Sequence, residues 1–157
     1  MTEETAARQA GATTDAPQAG AVPAGREPRD RVRVAMPAEG AYLSVLRTAT
    51  AGLAARLDFT LDEIEDLRIA VDEACAMLLG HAIPGTNLEC GFDLDADMMT
   101  ITVSVITAQP HLPARDTFSW MVLSALAGSV DSLISPEDPE ARVAIVLRKR
   151  RGIPGSG

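Results

Sequence analysis

Lysine is nearly missing from this chain. Lys149 is the single one in 157 residues, and arginine supplies the rest of the positive side-chain charge. With 22 acidic residues against 14 Lys and Arg, the formal net charge is −8. That balance excludes a broad footprint for phosphate backbones and argues against direct nucleic-acid binding. Aromatics are scarce at 3%, so the core is expected to be aliphatic. Cysteine occurs twice, as Cys75 and Cys90, with neither disulfide-framework nor zinc spacing, which fits a reducing compartment. Long apolar runs are absent: nothing approaches the roughly 18 residues of a membrane span, and no signal peptide is read at the start. A cytoplasmic protein without a membrane segment is the expectation. The hydrophobic content, 46%, is that of an ordinary globular protein with one core.

Residues 1–29 are Ala, Gly, Pro, Thr, Gln and charge without periodicity. They are expected to be a disordered tail, because they offer too little apolar surface to offset the entropy of ordering. Residues 152–157 read the same way, which leaves 30–151 as the domain. Within it, residues 31–36 alternate, with Val32, Val34 and Met36 on one side, as in a strand. Residues 42–57 carry Leu43, Leu46, Ala49, Leu53 and Leu57 at helical spacing. Thr60 and Glu63 form a capping-box signature for a second helix over 61–81. Ile64, Leu67, Val71, Ala74, Cys75 and Leu78 share its apolar face, while Asp62, Asp66, Glu73 and Met77 fall on another flank.

Residues 88–94 and 98–106 predict a hairpin around Asp95-Ala96-Asp97. A Pro-broken loop over 109–115 leads to a helix capped by Asp116 or Thr117, with Phe118, Met121, Val122, Leu126 and Val130 as its apolar members. Residues 135–139 read as a turn, and 141–149 as the closing strand. Helices on one face of a mostly antiparallel sheet predict an α+β two-layer sandwich. His111 has no second ligand at zinc spacing.

The stretch from Asp66 to Ala74, followed by His81-Ala82, resembles the N-box helix of the anti-sigma-factor serine kinases. These are small bacterial members of the GHKL ATPase superfamily that regulate stress or sporulation sigma factors. The family pattern runs D-L-x-L-A-V-x-E-A-x-x-N-x-x-x-H-A, and the likeness extends in element order over about 31–149. It implies the Bergerat, histidine-kinase-like ATPase fold. It also implies a general base at Glu73 and a magnesium ligand four residues on, where this chain has Met77. A thioether is soft, whereas Mg²⁺ takes hard oxygen ligands. The family's D-x-G-x-G, which binds adenine, falls here on Thr107, Gln109 and His111, and its glycine-rich lid turn falls on Thr117-Phe118-Ser119-Trp120.

Losing one charged hydrogen bond to adenine costs roughly 1.5–3 kcal/mol, and forcing one non-glycine residue left-handed costs roughly 1–2 kcal/mol. Together these weaken nucleotide binding on the order of 10²–10³-fold. No cofactor is therefore expected, and Glu73 reads as a vestigial base. The resemblance implies a homodimeric anti-sigma factor that sequesters an alternative sigma factor and is released by an anti-anti-sigma protein of the STAS type. The alternative is an active kinase that uses ATP and Mg²⁺ to phosphorylate that antagonist.

Overall fold

A computed structural model of the chain describes residues 29–137 and 140–152. The expected terminal tails lie outside the described residues, apart from their inner ends Arg29 and Gly152. Strand β1 (Asp30–Pro37) leads through a single 3-10 turn (Gly40–Tyr42) into α1 (Leu43–Arg56) and then α2 (Leu61–Leu79). Next come β2 (Asn87–Leu94), β3 (Met98–Thr107), α3 (Phe118–Leu126), β4 (Ser129–Glu137) and β5 (Glu140–Arg150). The five strands form one antiparallel sheet in the order β1-β2-β3-β5-β4. Three helices against this sheet make the α+β two-layer sandwich that the sequence pattern predicts.

The core lies between the layers. Leu88, Cys90, Phe92 and Leu94 of β2 join Met99, Ile101, Val103 and Val105 of β3 and Val143, Ile145 and Leu147 of β5. From the helices come Leu46 and Ala54 of α1, then Leu67, Ala70, Val71, Ala74, Cys75 and Leu78 of α2, then Trp120 and Leu123 of α3. On the opposite face of the sheet, Thr100, Thr102, Ser104, Ala144 and Val146 are also buried. There the Arg142 guanidinium donates to Glu137 and to Ser104, each at 3.1 Å, and sits 3.7 Å from Glu89.

Two boundaries correct the sequence reading. The third helix ends at Leu126 rather than running on to Val130, and residues 129–137 form β4. The 135–139 turn is thus partly the end of a strand: Ser135, Pro136 and Glu137 pair with Arg142, Ala141 and Glu140. Gly128 makes the switch. A Cβ at this position would stand 2.9 Å from the Arg148 carbonyl oxygen, so only glycine lets the turn pass so close to β5. At the other end of the helix, Thr117 rather than Asp116 supplies the cap, its hydroxyl accepting from the Trp120 N–H at 3.2 Å.

The capping box of α2 forms as its residues predict: Glu63 N–H donates to the Thr60 hydroxyl at 3.1 Å, and Thr60 N–H donates to Glu63 Oε1 at 2.8 Å. Glu63 also accepts from the Gly152 N–H at 2.7 Å, tying the chain beyond β5 to the start of α2. Partial burial would raise the pKa of its carboxyl. The Thr60 and Gly152 N–H groups, the Thr60 hydroxyl and the nearby Lys149 ammonium outweigh that and hold it below the ordinary carboxylate value. A lowered carboxylate pKa contributes stability above the unfolded-state value and loses it as pH falls through the folded-state value. Glu63→Ala is therefore expected to cost about 0.5–2 kcal/mol at neutral pH. In urea melts repeated downward from pH 6, that difference should narrow in acid.

Candidate functional site

Helix α2 positions the site. Its apolar face is fixed against the sheet, so Glu73 and Met77, four residues apart, lie along one stripe beside that face, and His81 follows in the turn after the helix. Glu73 is half-buried, Met77 is half-buried and packs against the core, and His81 is exposed just past the last turn. Among the described residues, no ion pair or side-chain hydrogen bond engages Glu73. The basic side chains on this side are committed elsewhere. Arg47 of α1 holds both Asp72 carboxylate oxygens at 2.8 and 2.9 Å, and Arg68 pairs with Glu65 at 3.1 Å.

The residues aligned with the family's nucleotide-binding loop sit at the end of β3. Thr107 is buried, and its hydroxyl accepts from the Gln109 N–H at 3.2 Å. Gln109 and His111 are exposed, with the His111 Nδ1 at 2.9 Å from the Gln109 carbonyl. The loop folds back onto the end of α2, where the His81 and His111 rings stand edge to face with centroids 4.8 Å apart. Further on, the Arg115 guanidinium lies 4.6 Å from the centre of the Trp120 ring and 3.8 Å from Asp131. The two aromatic residues at the family's lid turn separate: Trp120 is buried in the core, while Phe118 is 78% exposed.

These side chains match the donor set of a magnesium–nucleotide site poorly. Met77 supplies a thioether where a hard oxygen is required. The Thr107 hydroxyl, where the family's carboxylate would meet the adenine amino group, is neutral and already accepts a backbone N–H. Among the described residues no group of three His, Cys, Asp or Glu could hold a metal ion. A cavity of about 280 Å³ does exist, lined by Arg29, Asp30, Arg56, Leu57, Leu94 and Asp95. It lies by the turn that starts α2, at the far end of that helix from His81.

Cys75 and Cys90 are both buried and free. Burial, and then the neighbouring Asp72 carboxylate, push the Cys75 thiol up to about 12. Burial, with Cys75 nearby, pushes Cys90 well above its ordinary value. Neither offers a thiolate near neutral pH. The ring contact of His81 with His111 and the Arg115–Trp120 stack escaped the sequence reading, because their partners meet only through the loop's path. No helix among the described residues is long and apolar enough to cross a membrane.

No protein-family model matches the chain. Individual proteins do. It is 32% identical over 112 residues to the anti-sigma-F factor RsbW of Mycobacterium tuberculosis, covering 69% of this chain and 67% of that protein. It is 37% identical over 76 residues to the serine-protein kinase RsbW of Halalkalibacterium halodurans, or 48% of this chain and 47% of that one. Over 53 residues it is 43% identical to the serine-protein kinase RsbW of Bacillus subtilis, a third of either chain at 34% and 33%.

Proposed function

Because this chain belongs to the RsbW family of anti-sigma factors and serine-protein kinases, we propose that it sequesters an alternative RNA polymerase sigma factor by protein–protein contact. Release comes through competition by an anti-anti-sigma protein of the STAS type. The protein acts in the cytoplasm as a homodimer of the GHKL fold and works without ATP or magnesium. One observation supports that last part above the others. The helix that keeps Glu73 presents, one turn on, the half-buried thioether of Met77 packed against the core. Sequestration is a matter of surface complementarity and involves no bond-making, so it survives the loss of a metal ligand. Phosphoryl transfer does not, because the metal carries much of the charge stabilisation on the transferred group.

The test uses the purified full chain. It is expected to retain one of the host's alternative sigma factors in a pull-down, and to do so equally with and without Mg-ATP. Retention of none of them would overturn the proposal. Glu73→Ala is expected to leave sigma-factor affinity within about twofold, as for a half-exposed side chain without a partner. Calorimetry with Mg-ATP should show no tight binding. Phosphate transfer to a serine of the STAS antagonist, lost in Glu73→Ala, would instead establish the kinase reading, which the retained glutamate and the kinase-named relatives favour.

A further inference from the structure

The whole 157-residue chain contains two histidines, and the fold brings them together. His81 follows the last turn of α2, and His111 lies in the loop between β3 and α3. Both are exposed, with ring centroids 4.8 Å apart and planes at 90°. The Gln109 carbonyl can only accept, so at 2.9 Å it receives the proton of His111 Nδ1, and in the neutral ring the lone pair is then on Nε2. A backbone carbonyl that fixes one ring nitrogen in this way is the usual means of orienting a metal-binding imidazole.

The separation fits, and the ring orientation changes on binding. Two imidazoles binding one ion at about 2.0–2.1 Å, each centroid roughly 1.1 Å behind its nitrogen, stand about 4.5–5.2 Å apart between right-angled and tetrahedral geometry. The exposed His81 ring has to turn out of its edge-to-face contact before both nitrogens meet the ion. From this juxtaposition we propose that His81 and His111 form a two-imidazole site for a first-row transition-metal ion of the Zn²⁺, Ni²⁺ and Cu²⁺ class. Imidazole nitrogen suits these ions, while Mg²⁺ and Ca²⁺ prefer hard oxygen ligands. The two thiols do not compete for the ion, being buried and held in their protonated form. Water fills the remaining positions, because no cluster of three ligating side chains exists among the described residues. Such a site is exchangeable, and its effect is mechanical. The ion clamps the β3–α3 loop to the end of α2.

The scarcity of histidine makes the test sharp. The untagged full-length protein is passed over a matrix charged with Ni²⁺ or Zn²⁺ and eluted with chelator, with zinc titration calorimetry in parallel. The wild type should be retained and should bind one ion per chain. His81→Ala and His111→Ala should each lose both behaviours while keeping the wild-type circular dichroism spectrum. Passage of the wild type through the column would overturn the proposal. So would retention that persists in either single variant, since that would mark an adventitious contact by one ring alone. Both side chains are exposed, so folding is not the variable; should one alanine variant fail to fold, His81→Gln and His111→Gln carry the same expectation.

Discussion

Trp120→Ala is expected to lower the unfolding free energy by about 3–5 kcal/mol, against a total of about 5–15 kcal/mol for a domain of ordinary stability. Trp120 is only 6% exposed, and it is the largest side chain that α3 puts into the core. Its removal leaves a cavity between α3 and α2 and also strips the surface on which Arg115 rests. The β3–α3 loop should therefore loosen along with the helix. Because this is the only tryptophan in the chain, unfolding has to be followed by far-ultraviolet circular dichroism rather than by fluorescence. Phe118→Ala is the control. Two residues away and 78% exposed, it should change stability by no more than about 0.5 kcal/mol. Equal effects in the two variants would mean that α3 does not pack as described.

Gly128→Ala is expected to cost about 1–3 kcal/mol, as overpacking does in a well-filled structure. The new methyl would stand 2.9 Å from the Arg148 carbonyl oxygen. That oxygen belongs to the β5 backbone, which pairs with β3 and β4 and cannot yield as a flexible side chain would. Gly52→Ala makes an informative contrast. It lies within α1, a Cβ there meets nothing within 4 Å, and the better helix propensity of alanine should raise stability by about 0.4–1 kcal/mol. Urea unfolding followed by Trp120 fluorescence reads both. A neutral Gly128→Ala would mean that the α3–β4 turn has room to move away from β5.

Much of the fold was legible because the local signals agree with one another. In α2 the capping box, the 3.6-residue apolar stripe and the acidic first turn all point to the same helix. In β3 and β5 the alternation is clean. Strand β4 was hidden for a physical reason. Its inward positions, by register with Val143, Ile145 and Leu147, are Ile134, Ser132 and Val130. The middle one is a serine whose buried hydroxyl finds no hydrogen-bond partner, while Leu133 points to the other face. Apolar residues at 126, 130, 133 and 134 then mimic a helix as well as they do a strand. The need for glycine at 128 comes from a strand still further along the chain.

The site divides in the same way. Glu73 and Met77 share a stripe through the simple i, i+4 rule, so their neighbourhood could be read directly, whereas His81 falls just past the end of α2 at Leu79. Thr107, Gln109 and His111 could be placed after β3 by the resemblance, but not where the loop would go. Its path depends on the Thr107 hydroxyl that accepts the Gln109 N–H, on the Gln109 carbonyl against His111, and on Arg115 finding the Trp120 ring. None of these has a periodic signature. The same holds for Phe118 and Trp120, which two residues of helix rotation send to opposite environments.

The strand order carries one last consequence, for the moment of synthesis. β5, the last of the described strands to be made, takes an interior place between β3 and β4. Until it leaves the ribosome, β3 has one bare flank and β4 has no neighbour to zip onto. The half-made sheet is then a sticky template for other nascent chains. β5 fills that gap, and Arg151 and Gly152 just past it anchor its end with bonds to Asp97, Leu57 and Glu63. A copy stopped at residue 139 should therefore clump rather than compete, and the cell receives a working inhibitor only from ribosomes that have read past the final strand.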